Sequence, residues 1–370
     1  MTTELIEKII QRTIEIQQIP APTFEEEKRA IFIHQQFEGE GLQDVSIDDV
    51  WNVYARLPGA SSEKSLIVTA HLDTVFPMDT DLTVSREHGR VAGPGIGDNS
   101  AGLAALFGLL WRLKEEGTQL PGDLWIVANS GEEGLGDLKG MKKVVDRFGD
   151  TPLAYIILEG MVYGRIYHRG LGVRRYRITS KTAGGHSWVD YGTPSAIHEL
   201  ASIVTRLVAE NLPVKPRTTM NIGKFNGGIS VNSIASQASL DLDLRSESKT
   251  ELNKIANKVE EIVHSSSRQG VDNSFEVIGD RKPGEVDKDH PLVEIAVKIL
   301  ENQDVNPELN IGSTDANVPL SRGIPAICIG LTNGGSGHTN NEFIFTDPIE
   351  KGINQIVEIV RGVFEVMQDQ

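Results

Sequence analysis

The stretch Leu66-Ile-Val-Thr-Ala-His-Leu-Asp73 decides the reading of this chain. Five uncharged residues run straight into a histidine and, two positions on, an aspartate. A run this short, closed by polar groups, reads as a buried parallel strand. Three more runs end in the same manner. Leu124-Trp-Ile-Val-Ala-Asn129 leads to Glu132-Glu133, Ala154-Tyr-Ile-Ile-Leu158 to Glu159, and Ala326-Ile-Cys-Ile329 to a glycine-rich loop ending in His338. Between them, Gly93-Pro-Gly-Ile-Gly97 delivers Asp98 just ahead of a helical pattern at 101–116. Ligands in α/β sheets gather at the carboxyl ends of strands. Acids and histidines there would cost desolvation without a partner, and together they suit an oxygen/nitrogen metal site. Taken singly, each has a plainer explanation: a hydrogen-bonded histidine, an N-cap at Asp98, a solvated turn at Glu132-Glu133. Five at successive strand ends carry the argument.

Outward from this core, helical spacing covers 4–18, stopped by Pro20-Ala-Pro22, and 25–37. Short strands fall at 53–57, 65–70, 123–129 and 154–159. Strands alternating with helices predict an α/β domain with a mostly parallel sheet. After Tyr167 the texture changes to a strand at 171–181, a helix at 194–210, strands at 218–226 and 234–245, a helix at 249–268 and a strand at 274–278. That order is the β-α-β-β-α-β of a ferredoxin-like unit. Beyond Pro283 the α/β pattern returns, with a helix at 291–301, a strand at 324–329 and a helix at 349–368. The expected organisation is one domain from 1–170 and 283–370, with a second, 171–282, inserted into it.

Thirty-six basic against fifty-two acidic side chains leave a net charge of −16 in 370 residues. That argues against a nucleic-acid or anionic-membrane binder. The single cysteine, Cys328, excludes an intrachain disulfide and a cysteine-based zinc site, and its apolar surroundings read as core. No phosphate loop, H-E-x-x-H or G-x-S-x-G is present, and the glycines at 93, 95 and 97 lack dinucleotide spacing. Neither a secretory signal nor an apolar run of membrane length is evident, so the cytoplasm is the expected compartment.

The motifs Ala70-His-Leu-Asp-Thr-Val75, Gly97-Asp-Asn-Ser-Ala-Gly102, Asn129-Ser-Gly-Glu-Glu-Gly134, Leu158-Glu-Gly160, Gly184-Gly-His-Ser187, Asp243-Leu-Arg-Ser246 and Gly337-His-Thr-Asn340 span nearly the whole chain. In this order they resemble the two-metal peptidase and aminoacylase family of acetylornithine deacetylase, succinyl-diaminopimelate desuccinylase, glutamate carboxypeptidase and peptidase T. The resemblance implies two Zn2+ per subunit, with Co2+ or Mn2+ also compatible with such ligands. Asp98 would bridge the ions, His71 and Glu159 completing one and Glu133 and His338 the other. Asp73 would orient the His71 imidazole, and Glu132 would act as general base on a metal-bridging water. The inserted domain would serve as lid and dimerisation domain of a homodimer, bringing His186, Asn232 and Arg245 to the substrate and His186 to the oxyanion.

Gly312-Ser-Thr-Asp-Ala-Asn317, Gly323-Ile-Pro325 and His338-Thr-Asn-Asn-Glu342 resemble the peptidase T branch. They imply an aminopeptidase for di- or tripeptides. Glu159, where some relatives of that branch carry Asp, keeps an N-acyl-amino-acid deacylase or glutamate carboxypeptidase-like enzyme as the alternative. A non-catalytic peptide-binding relative is the remote one.

Overall fold

A computed structural model of the chain describes residues 2–367 and divides into two compact units, Met1–Gly170 with Gly284–Gln370, and Leu171–Pro283. The first unit is built on a nine-stranded mixed sheet. At its centre four strands run parallel, in the order Gly122–Asn129, Ser61–His71, Tyr155–Glu159, Ala326–Gly330. Their apolar stretches are almost wholly buried, as strands covered on both faces must be, while the first half of Ser61–His71 is polar and not buried. Because they are parallel, their polar termini come out on one edge. Antiparallel strands flank them, Val53–Leu57 on one side and Arg165–Gly170 on the other.

Helices Thr3–Gln17, Gly102–Glu115 and Ile349–Met367 supply much of the remaining core. Gly102–Glu115 is apolar almost all round and is correspondingly buried almost all round. Cys328 is buried, and burial pushes its thiol up, which keeps it protonated and inert.

A small antiparallel sheet escapes the sequence reading. It joins Gly334–Gly335, Phe343–Phe345, Arg90–Ala92 and Ser85–Glu87. Strands of two or three residues have no period to detect, yet this sheet ties the segment before Asp98 to the segment after His338. Arg165–Gly170 and Glu308–Gly312 were also missed, because their charged, half-exposed residues give no apolar signal.

The second unit carries a four-stranded antiparallel sheet in the order Thr218–Gly227, Gln237–Ser246, Gly172–Thr182, Val271–Arg281. Helices Ala196–Val208 and Lys249–Ser265 pack on it around a separate core that includes Tyr176, Leu200, Leu240 and Val259. This is the ferredoxin-like topology. The strand expected at 234–245 is in fact two. Ser233–Ile234 leaves the sheet to pair with Gly185–His186, and Gln237–Ser246 stays. The break falls where the Ala235 carbonyl accepts from Ala196 N (2.8 Å) and Thr182 Oγ1 (3.0 Å) instead of a ladder partner.

Candidate metal centre

The parallel strands place the site. His71 closes its strand, Glu159 closes another, and Glu132 and Glu133 follow Asn129 on a third. The His71 Nδ1 lies 3.0 Å from the Asp73 main-chain oxygen. A carbonyl only accepts, so the neutral ring carries its proton on Nδ1 and its lone pair on Nε2. That Nε2 stands 3.1 Å from Asp98 Oδ1 and 3.8 Å from Glu159 Oε2. The other histidine mirrors it: His338 Nε2 is 3.0 Å from Asp98 Oδ2 and 3.2 Å from Glu133 Oε1. Asp98 therefore turns one oxygen to each of two histidine–carboxylate pairs. Donor atoms of His71, Asp98 and Glu133 also lie within 4.8 Å of one another, close enough to share an ion.

The carboxylates favour positive charge at both histidines. Burial disfavours a charged His71 ring, but Glu159, Asp73 and Asp98 outweigh it and hold its pKa well above normal. His338 is raised to about 11 by its bonds to Asp98 and Glu133. Burial works to raise Asp98, but the two imidazoles prevail and hold it below the usual range. Glu159 is pushed up to about 7, first by burial and then by the charges of Asp98 and Asp315, against the pull of His71. Protons on two histidines are here the nearest counter-charges to a carboxylate cluster. A divalent cation replaces such protons and removes the like-charge penalty, and imidazoles with carboxylates are donors that suit zinc, cobalt or manganese. The residues fit a metal.

Asp73 does more than was expected of it, and differently. Its main-chain oxygen, not its carboxylate, makes the close contact with His71; the nearer carboxylate oxygen is 3.5 Å away. The carboxylate instead accepts the main-chain N–H of Glu132 and of Glu133, both at 2.9 Å, and the Thr23 hydroxyl at 2.9 Å. One buried aspartate thus sets the backbone of both glutamates. Arg29, wholly buried, ties the same turn by donating to Leu72 O at 2.7 Å and to Ile19 O.

Two further acids were given no role by the sequence. Asp315 is buried beneath the strand ends and accepts from Asn129 Nδ2 at 2.6 Å. Glu342, fully buried, accepts the N–H of Gly97 (2.7 Å) and Asp98 (2.8 Å) on Oε1 and that of His338 (3.3 Å) on Oε2. Burial pushes it up to about 7 despite those bonds. The available signal was its position, four residues after His338, where a turn brings a side chain back over the loop.

In the second unit, His186 lies on the two-stranded ribbon and Asn232 on the turn that leads into its other strand. Ser187 N donates to Asn232 O at 3.0 Å. The exposed His186 ring accepts on Nδ1 from Trp188 N (3.2 Å) and Val189 N (3.3 Å), which leaves the neutral ring's proton on Nε2. Arg245 is elsewhere in that unit, in the sheet, with its Nε 2.8 Å from Asp243 Oδ1. Arg175 holds the other oxygen of Asp243 at 2.9 Å, so two guanidinium groups share one carboxylate.

Known proteins resemble the chain along its length. It is 23% identical to succinyl-diaminopimelate desuccinylase from Corynebacterium glutamicum over 342 residues, 90% of each protein. The solved structure of aminopeptidase PepT from Bacillus cereus matches with a TM-score of 0.78 and 23% identity, covering 97% of this chain and 98% of that one. A tripeptidase from Staphylococcus aureus matches at 0.80 and 22%, covering 97% and 99%. Residues 67–362, which run from the His71 strand to the last helix, match the model of peptidase family M20/M25/M40. With the strand-end acids and histidines in place, the chain is an enzyme of that family of metallopeptidases and amidohydrolases.

Proposed function

We propose that the chain is a two-zinc aminopeptidase of the peptidase T kind, which removes the N-terminal residue from di- or tripeptides. The observation that carries this reading is Asp98, whose two oxygens each face a different histidine–carboxylate pair. His71 and Glu159 with one Asp98 oxygen would hold the first ion, and His338 and Glu133 with the other oxygen the second. When bound, the ions supply positive charge that polarises the scissile carbonyl and acidifies a water; Co2+ or Mn2+ would serve as well.

The remaining steps belong to the chain's own residues. Glu132 stands beside Glu133 with its backbone set by Asp73, and it would take the attacking water's proton and return it to the leaving amine. His186 presents Nε2–H as a donor, which suits an oxyanion. Asn232, on the turn next to the ribbon, would help seat the substrate, and Arg245 would contact a fixed carboxylate. The likeness to PepT and a tripeptidase, together with the run at 312–317, supports free peptides as substrate, and a homodimer through the second unit goes with it.

One observation favours a second reading, an N-acyl-amino-acid deacylase or carboxypeptidase. The chain is 23% identical to a succinyl-diaminopimelate desuccinylase over 90% of each protein, and Arg245 would take the substrate carboxylate. The deciding experiment is hydrolysis of one tripeptide beside its N-acetylated twin by zinc-loaded protein. Cleavage of the free-amine peptide alone supports the aminopeptidase. Equal or faster cleavage of the acetylated form moves the assignment to the second reading. Stoichiometric metal without turnover of any small amide would leave only a binding protein.

A further inference from the structure

We infer that Glu342 is a positioning residue that holds the two halves of the metal centre in register, and that the ion shared by His338 and Glu133 depends on it selectively. The inference rests on the two-metal reading above.

The two sets of ligands differ in how they are held. His71 is 1% exposed, sits at the end of a central strand and has Nδ1 engaged by Asp73 O. His338 is 55% exposed on its side chain and lies on a turn, with φ of 62° at His338 and 57° at Ser336. No strand carries it. What fastens the turn is Glu342. Its main-chain N–H donates to Thr339 O at 3.1 Å, closing the turn, and its carbonyl accepts from Gly93 N at 2.9 Å. Its carboxylate then reaches both loops, taking Gly97 N and Asp98 N on one oxygen and His338 N on the other. The next residue, Phe343, pairs with Ala92 in the small sheet. One side chain therefore sets the distance between the bridging carboxylate and the exposed histidine, while touching neither Glu159 nor His71 in any hydrogen bond.

A carboxylate suits this place because all three of its partners are donors. An amide does not: Glu342→Gln keeps one oxygen for Gly97 and Asp98 but sets an NH2 group against the His338 N–H, donor to donor. The volume is unchanged, so the glutamine side chain fits the same place. Outer partners of metal ligands commonly govern affinity by ten- to a hundredfold. For Glu342→Gln the expected loss is about tenfold or more, confined to one of two equivalents.

The test is stepwise titration of the metal-free full chain with Co2+ or Zn2+ against a chromophoric chelator, with the Co2+ absorption bands of each equivalent recorded. Wild type should bind two equivalents. Glu342→Gln should keep the tighter one and its spectrum, and lose affinity and intensity in the other. Combining it with His338→Ala should add little further loss, since both act on one ion. Glu342→Asp, which keeps the charge but withdraws it by one methylene, should show the same selective loss if the glutamine variant is poorly folded.

Two equivalents bound by Glu342→Gln at wild-type affinity would overturn the inference and leave the aminopeptidase reading intact. Parallel weakening of both ions together with a lowered melting temperature would also overturn it, since that is what loss of a merely structural residue produces. A wild type that takes up no second ion would overturn the two-metal reading itself, and this inference with it.

Discussion

At the scale of single residues, division of labour between adjacent groups is the main theme. Glu132 and Glu133 are neighbours with different surroundings. Glu133 faces His338 at 3.2 Å, and the Glu132 N–H donates to Asp73 Oδ1 at 2.9 Å. A carboxylate bound to a cation is a poor base, so one of each is what the chemistry needs. Glu132→Gln is expected to keep both metal equivalents and to lower kcat by about two to four orders of magnitude, the usual worth of a positioned acid–base group. Metal analysis beside steady-state kinetics checks this, and loss of metal with the activity would refute the assignment. Asp73→Asn replaces one of the two oxygens that hold the Glu132 and Glu133 amides. It should lower kcat more than it raises KM, because the base is displaced while the substrate contacts are not.

Among the elements, the strands set the site and the helix ends report on stability. The helix Pro291–Asn302 begins at His290, whose Nδ1 accepts from Leu292 N at 3.2 Å, with Pro291 in the first turn. A histidine caps this way only while Nδ1 is unprotonated. Burial lowers its pKa from the ordinary 6.5, against the opposing charge of Asp287. A depressed histidine pKa means that the contribution is present above pH 6.5 and is lost as pH falls through the folded-state value. His290→Ala should cost about 1 kcal/mol at pH 8, the usual worth of an N-cap, and progressively less toward pH 5. Denaturant unfolding of both proteins across that range tests the sign. A difference that grew as pH fell would contradict the capping geometry.

For the whole molecule, two cores imply two stabilities. The apolar clusters of the units share no residue, and the candidate ligands of the metal all belong to the first. An ion that binds the folded first unit and not its unfolded chain stabilises it by about 2.7 kcal/mol at a hundredfold excess over Kd. Scanning calorimetry should show the transition of the first unit falling by several degrees on chelation and returning with Zn2+. The transition of the second unit should stay in place. A single transition that moved as one would show that the units unfold together. Among the described residues no helix is long and apolar enough to cross a membrane.

Much of this was legible in the chain of residues alone. Four short apolar runs closed by polar groups determined a parallel sheet with His71, Glu132, Glu133 and Glu159 at one edge, because burial on both faces demands such composition and parallel strands end together. The alternating pattern after Tyr167 likewise determined the ferredoxin-like unit. Local periodicity could not see contacts made by two-residue strands or by single side chains across hundreds of positions. Only the tertiary structure decided that Asp73 holds the backbone of the two glutamates with its carboxylate and His71 with its carbonyl. It alone set the split of the 234–245 strand, and the reach of Glu342 from its own turn to Gly97 and Asp98. Those outcomes depend on which donors are left unpaired once the sheet has formed, and that is a property of the folded arrangement rather than of any segment.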